Sequence, residues 1–357
     1  MKKRFLVRAL AMAVVCALLV GVVGCGGGAT GGDTADAGEL NLFIWTEYIP
    51  ESVIDDFQAE TGIKVNATTY SSNEDMLNKV KTDSPGTYDI VQPSDYMIKM
   101  MIEQNLLQEL DLSQVPNFSN IAEQYTNQEY DPGNKYSVPY MAGMATLCYN
   151  KDLVPIEITS YADLWKPEVE GQVLLLDDFR QVVGMVGQKD GFGINATEPD
   201  QLTQMKADLL ALKPNVKAFD SDNPKSLLIS GEVGVAYTWS AEIALAMREN
   251  PSIVPVPNPT EGAGLFLDNF AIPVEAKNVE NAYKFMDYIL SPEVSASISA
   301  EYPYVNPNAA AVELLDDEYK NNPVSNPDPA VFQNGQYIQP IGDVLEEYNA
   351  MWTEFKK

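Results

Sequence analysis

Residues 40–69, LNLFIWTEYIPESVIDDFQAETGIKVNATT, hold the pattern that decides the fold. Leu40 to Trp45 is a short, largely apolar run that reads as a strand. Val53, Ile54 and Phe57 then recur at helical spacing, and Thr61-Gly62 supplies a helix ending of the glycine type. Ile63 to Thr69 is a second strand. Working outward, Met76, Leu77 and Val80 mark a second helix opened by Asn73 as its cap, and Asp89 to Gln92 is a third short strand ended by Pro93. The unit strand–helix–strand–helix–strand predicts an α/β fold.

A second series begins near Thr146. It has a strand at Val173–Leu176, a helix from about Pro199 to Leu212 with proline in its first turn, and a strand at Val233–Thr238. Later helices are predicted from about Val279 to Leu290 and from about Ile341 to Phe355. In the last, Ile341, Val344, Leu345, Tyr348, Met351, Trp352 and Phe355 form one apolar stripe, the mark of a packed face. Pro323 to Pro329 reads as a Pro/Asn-rich surface loop.

The chain has 357 residues, enough for about two domains. It carries 51 acidic and 23 basic side chains, a formal charge of −28, and no histidine. Nucleic-acid binding is disfavoured, because it relies on clustered lysine and arginine. Without histidine there is no Ser-His-Asp triad and no His-bearing zinc or iron site. A cationic partner fits such a surface, although negative charge also simply keeps an exported protein in solution.

The start of the chain reads as an address. Lys2, Lys3, Arg4 and Arg8 precede an uncharged run from Ala9 to Gly24, too short to span a membrane but suited to a signal peptide. Val22-Val23-Gly24-Cys25 resembles a bacterial lipobox, which implies cleavage before Cys25 and lipidation of that residue. Residues 25–38, CGGGATGGDTADAG, read as a flexible tether. Cys16 leaves with the leader, so only Cys148 stays as a thiol; its apolar surroundings predict a buried small hydrophobe, and no disulfide is expected.

Acids beside aromatics at strand ends are the candidate chemistry. Trp45-Thr46-Glu47-Tyr48, Ser94-Asp95-Tyr96, Asp177-Asp178 and Phe266-Leu267-Asp268 all fit, and ligand crevices of open α/β sheets lie at the carboxyl ends of strands. A linear ammonium ligand wants carboxylates for charge-assisted bonds and aromatic faces for its cation, at about 0.5–2 kcal/mol per face. Each residue taken singly has a plainer reading: Asp178 as a helix cap, Trp45 as core.

The segments NLFIWTEYIP, ETGIKV, SSNEDM, YDIVQPSDYMIKMM, LWKPEVEG, AFDSDNP and LDNFAIP, in this order, resemble the substrate-binding proteins of bacterial spermidine/putrescine ABC importers. The likeness runs from Leu40 to the C-terminal helix. It implies a two-lobed periplasmic-binding-protein fold with crossing hinge strands, with residues 39–143 plus 268–312 as one lobe and 144–267 plus 313–357 as the other. It further implies a ligand box of Trp45, Thr46, Glu47, Tyr48, Ser94 and Tyr96 facing Asp178, Ser221 and Trp239, with Asp268 at the hinge and Tyr304 closing it.

Three positions depart from the family pattern. Gln181 stands where it has glutamate, Phe266 where it has tryptophan, and Ile338, followed by Gln339, where it has a ligand-binding glutamine. Losing a carboxylate at position 181 leaves Glu47, Asp178 and Asp268, a set that favours putrescine over the more highly charged spermidine. The implied protein is a monomeric, lipid-anchored extracytoplasmic receptor with no cofactor and no enzymatic activity. Its implied partner is a permease whose ATPase is a separate protein, because this chain has no GxxxxGK[ST] loop.

Other readings have weaker support. Another small organic cation, or a polyamine sensor without transport, fits the same residues. Calcium lacks a DxDxDG-type loop. A carboxylate-pair hydrolase would need Asp177 and Asp178 on one face, whereas adjacent strand residues point to opposite faces.

Overall fold

A computed structural model describes residues 37–357. The leader 1–24, Cys25 and the tether up to residue 36 lie outside the described residues.

The first unit is β1 (Glu39–Trp45), α1 (Glu51–Thr61), β2 (Lys64–Tyr70), α2 (Asn73–Thr82), β3 (Ile90–Val91) and α3 (Asp95–Glu103). Its three strands form a parallel sheet in the order β2-β1-β3. Gly62 ends α1 at φ 72°, and its N–H donates to the Gln58 carbonyl, as the Thr61-Gly62 signal predicts. The cap of α2 is Ser72, one residue before the expected Asn73. The Ser72 hydroxyl accepts from the Asp75 N–H at 3.1 Å, because its extended backbone (φ −146°, ψ 135°) aims the side chain at the free end of the helix.

The chain then enters β4 (Val138–Asn150), a 13-residue strand buried along its whole length. The rest comprises β5 (Val173–Leu175), α4 (Phe179–Lys189), α5 (Pro199–Leu212), β6 (Val216–Phe219), α6 (Pro224–Ser230), β7 (Val235–Trp239), α7 (Ser240–Glu249), β8 (Ile253–Val256) and β9 (Gly264–Phe270). After these come α8 (Val279–Ile289), α9 (Pro292–Glu301), α10 (Ala309–Leu314), α11 (Asp317–Asn321), α12 (Pro329–Asn334), β10 (Gln336–Tyr337) and α13 (Val344–Phe355). The second sheet has the order β10-β9-β4-β7-β5-β6, with β8 also paired to β4.

Strand β4 joins the two cores. Val138, Tyr140, Met141, Ala142 and Met144 pack with Leu40, Phe57, Phe270 and Phe285, whereas Ala145, Leu147 and Tyr149 pack with Val173, Met205, Tyr237 and Phe355. Its first part pairs antiparallel with β9 and its last part with β7 and β8. The β4–β9 register slips between Pro139 and Met141, where proline has no N–H for the ladder. Gly143 faces Phe266 across this pair; a Cβ there would lie 2.4 Å from the ring, so the ring can cover this position only where the residue has no side chain.

The C-terminal helix packs as its stripe predicts, with Tyr348, Met351, Trp352 and Phe355 in the second core. The segment 323–329 is an irregular loop up to α12, with Pro323, Asn326, Asp328 and Pro329 exposed, as expected, but Val324 and Ser325 are buried, Val324 in one cluster with Leu174, Cys148 and Ile243. Cys148 is buried, and burial pushes its thiol well up from its ordinary range, so it stays a neutral hydrophobe. Among the described residues no helix is long and apolar enough to cross a membrane.

Candidate ligand cleft

Where the carboxyl ends of β1 and β3 meet the second sheet, a cleft of about 780 Å³, counting its open mouth, is lined by all eleven residues of the expected ligand box and by Gln181 and Phe266, the thirteen positions of the box in all. Trp45 to Tyr48 leave the end of β1, Ser94 and Tyr96 lie at the start of α3, and Asp178 and Gln181 open α4. Trp239 ends β7, Phe266 and Asp268 sit on β9, and Tyr304 comes from the segment after α9.

Asp268 is the most enclosed acid of the expected set, at 3 % exposure. The Tyr48 hydroxyl donates to its Oδ2 at 2.5 Å and the Ser94 hydroxyl to its Oδ1 at 2.6 Å. Ser94 is itself held by Asn73, whose side chain donates to the Ser94 Oγ at 3.0 Å and accepts from its N–H at 3.2 Å. Desolvation raises the Asp268 pKa to about 7 against the lowering effect of the two hydroxyls. A carboxylate so placed gains strongly from a cation beside it.

Asp178 fills both of its possible roles. Its Oδ1 accepts from the Gln181 N–H at 3.0 Å as the N-cap of α4, and it also lines the cleft. Burial raises its pKa, with Arg180 opposing. The adjacent Asp177 lies in the bend between β5 and α4, not in the strand as expected, and pairs with Lys356 at 2.6 Å instead of lining the cleft. The carboxamide oxygen of Gln181 accepts from the Tyr237 hydroxyl at 3.2 Å.

The aromatic wall is continuous. Tyr48, Tyr304, Phe266 and Trp239 meet edge to face, with ring centroids 5.1, 5.9 and 5.7 Å apart along the series. Trp45 packs on Tyr70 at 4.5 Å. The Trp239 indole N–H donates to the Ser221 carbonyl at 3.1 Å, fixing its ring, while the Ser221 hydroxyl, closed off from solvent, has no hydrogen-bond partner among the described residues. Ile338 lines the cleft as an apolar patch; the Gln339 side chain does not line it, and its backbone carbonyl accepts from Arg180 at 3.0 Å.

Several lining residues escaped the sequence reading as ligand contacts. Asp95 is buried and its acid is pushed well up by desolvation. Glu242 is 5 % exposed with a raised pKa from burial, and Asp222 lies at the same wall. Glu242 meets the criterion of an acid beside an aromatic at a strand end, since it follows Trp239 by three residues. Glu74 stands just behind, accepting from the Tyr96 hydroxyl at 3.1 Å, with burial and then Asp178 raising its pKa to about 7. Lys225 brings an ammonium to the mouth, 2.7 Å from Glu47.

Two α/β units, crossed by β4 and β9 and enclosing one acid-lined cleft, define a two-lobed solute-binding fold. The sequence profile of the bacterial extracellular solute-binding proteins matches residues 52–326, and the chain belongs to that family. It is 38 % identical over 322 residues to the spermidine/putrescine-binding periplasmic protein of Escherichia coli (strain K12), covering 90 % of this chain and 92 % of that one. A solved chain from Listeria monocytogenes, assigned provisionally to spermidine/putrescine ABC transport, superposes with TM-score 0.86 at 38 % identity over 89 % of this chain and 98 % of its own. A lipoprotein of Treponema pallidum superposes with TM-score 0.78 at 28 % identity, over 89 % and 99 % of the two chains.

Proposed function

We propose that this chain is the extracytoplasmic receptor of a polyamine ABC importer, binding a linear diamine or triamine between its lobes and passing it to a permease. The observation that carries the reading is Asp268: a buried carboxylate, braced by Tyr48 and Ser94, at the edge of an unbroken aromatic wall with further acids on both sides. Carboxylates hold the ammonium groups, and rings cover the methylene chain between them. An anion finds no matching cationic lining, and the kinship with spermidine/putrescine-binding proteins points the same way.

The thirteen box residues act as the ligand contacts in this reading, with Asp178 and Asp268 as the principal ammonium partners. The lobes divide at β4 near Gly143, where the strand passes from one core to the other, and at β9 near Asp268, from which the chain bridges to Ser94 and, at Ala271, to Val91. In this reading the third crossing, expected near Glu313, follows Tyr319, which packs with Ala296 and Ala311. Residues 1–24 are a leader, and lipid on Cys25 tethers a monomer to the membrane; the likeness to a solved lipoprotein supports this. Neither catalysis nor a cofactor is part of the reading.

A thermal-shift panel of putrescine, cadaverine, spermidine and spermine tests it. At least one amine raises the melting temperature by several degrees at millimolar concentration, since a ligand bound only to the native state must stabilise it. No shift with any of the four overturns the proposal.

A further inference from the structure

The mouth of the cleft already holds an ammonium group. Lys225, near the start of α6, places its Nζ 2.7 Å from Glu47 Oε2 and 3.3 Å from both carboxylate oxygens of Glu242. Glu47 follows β1 on one side of the cleft, and Glu242 is in the first turn of α7 on the other. The contact therefore spans the opening. The Lys225 side chain is 21 % exposed and that of Glu242 only 7 %, so the pair is shielded from solvent far more than a surface ion pair. The Lys225 backbone N–H also donates to Glu242 Oε2 at 3.2 Å, which fixes the lysine's root on its acceptor.

Two carboxylates converging on one point make an ammonium site, and the lysine shows that an ammonium fits there. Glu47 and Glu242 both line the cleft, whereas the Lys225 side chain comes in from outside its wall. Glu47 holds its side chain in place from a left-handed backbone, φ 51°, at a cost of about 1–2 kcal/mol for a residue with a Cβ. Glu47 acts electrostatically on Glu242, and both act with Asp268 on Tyr304, while Asp178 acts on Glu74 and Tyr96.

We propose that Lys225 is a selectivity residue whose ammonium occupies the Glu47–Glu242 pair, the place for the outermost ammonium of a longer polyamine, and so biases the receptor toward diamines. The inference rests on the polyamine reading above. With Lys225 present the trio carries one net negative charge; without it the two carboxylates carry two and are free for a ligand cation. A diamine held at Asp268 and Asp178 does not need the pair. A triamine must either displace the lysine or leave its third ammonium poorly compensated.

Titration calorimetry with putrescine and spermidine on wild type, Lys225→Ala, Lys225→Arg and Lys225→Ala/Glu242→Gln tests this. In Lys225→Ala the ratio of spermidine to putrescine affinity rises at least fivefold. Lys225→Arg stays within twofold of wild type, and the double variant moves back toward it, because a negative charge is removed with the positive one. Equal changes for both amines in Lys225→Ala, or no change, overturn the proposal while leaving the receptor reading intact. Wild type binding neither amine removes the receptor reading itself, and this inference with it. Ligand-free melting curves of each variant confirm a folded protein, and Lys225→Met repeats the measurement if the alanine variant melts early.

Discussion

Asp268 sets the pH behaviour of the cleft. With its pKa near 7 in the empty protein, the group is close to half protonated at neutral pH. An ammonium ligand needs the carboxylate, so binding lowers that pKa and expels a proton. Amine affinity is therefore expected to fall as pH drops from 7.5 to 5.5, by up to about tenfold per unit, and calorimetry in two buffers of different ionisation enthalpy should register proton release at pH 7. Glu74 titrates in the same range, and Asp95 and Asp178 are raised as well, so Asp268→Asn makes the profile shallower without flattening it. The same variant is expected to weaken putrescine binding at least tenfold at pH 7.5; near-unchanged affinity would take the residue out of the site. The sign for stability is opposite. The folded state holds this proton more tightly than the unfolded chain, so Asp268 makes the ligand-free protein less stable as pH climbs from about 4 to about 7.

At the scale of elements, two joints position the site. The first is the start of α4, where one carboxylate both caps the helix and faces the cleft. Asp178→Ala is expected to lose about 1 kcal/mol of stability with the cap, together with most of the amine affinity. Asp178→Ser keeps a capping oxygen and separates the roles: its melting temperature stays near wild type while its affinity falls. Equal melting losses in the two variants would mean that the cap contributes little. The second joint is the crossing of β4 and β9. Gly143→Ala forces a methyl group against the Phe266 ring and is expected to cost about 1–3 kcal/mol in urea unfolding, with part recovered by Phe266→Leu. Both joints were half legible in the sequence. The Asp177-Asp178 pair at a strand end was visible, but the cap and the cleft contact looked like alternatives because either one suffices to explain the residue. The need for glycine at position 143 had no signal, since it comes from a ring 123 residues away in the chain.

For the whole molecule, charge acts at long range. Removing residues 1–24 takes away four basic and no acidic side chains, which moves −28 to −32. Such a field speeds the approach of a polycation and is screened over about 10 Å at 0.1 M salt. Stopped-flow binding of putrescine, followed by tryptophan fluorescence, is expected to show an on-rate that falls severalfold between 20 mM and 500 mM salt. A flat on-rate would confine the role of the surplus acids to solubility.

The α/β class, the order of most elements and the segments that line the cleft were determined by the sequence alone. Apolar periodicity, turn glycines and the pairing of acids with aromatics are local properties, and local properties survive in a linear string. Resemblance then carried thirteen separated residues to one expected box. The tertiary structure decided what depends on distance: that Tyr48 and Ser94 brace Asp268, that Val324 turns inward from an otherwise largely exposed loop, and that β4 serves two cores along one strand. It alone brought Lys225 and Glu242 to Glu47, 178 positions from the lysine. Burial and charge pairing are sums over neighbours from all parts of the chain, so the absence of histidine could exclude chemistries from the outset, whereas the ammonium already present at the cleft's mouth emerged only from the folded chain.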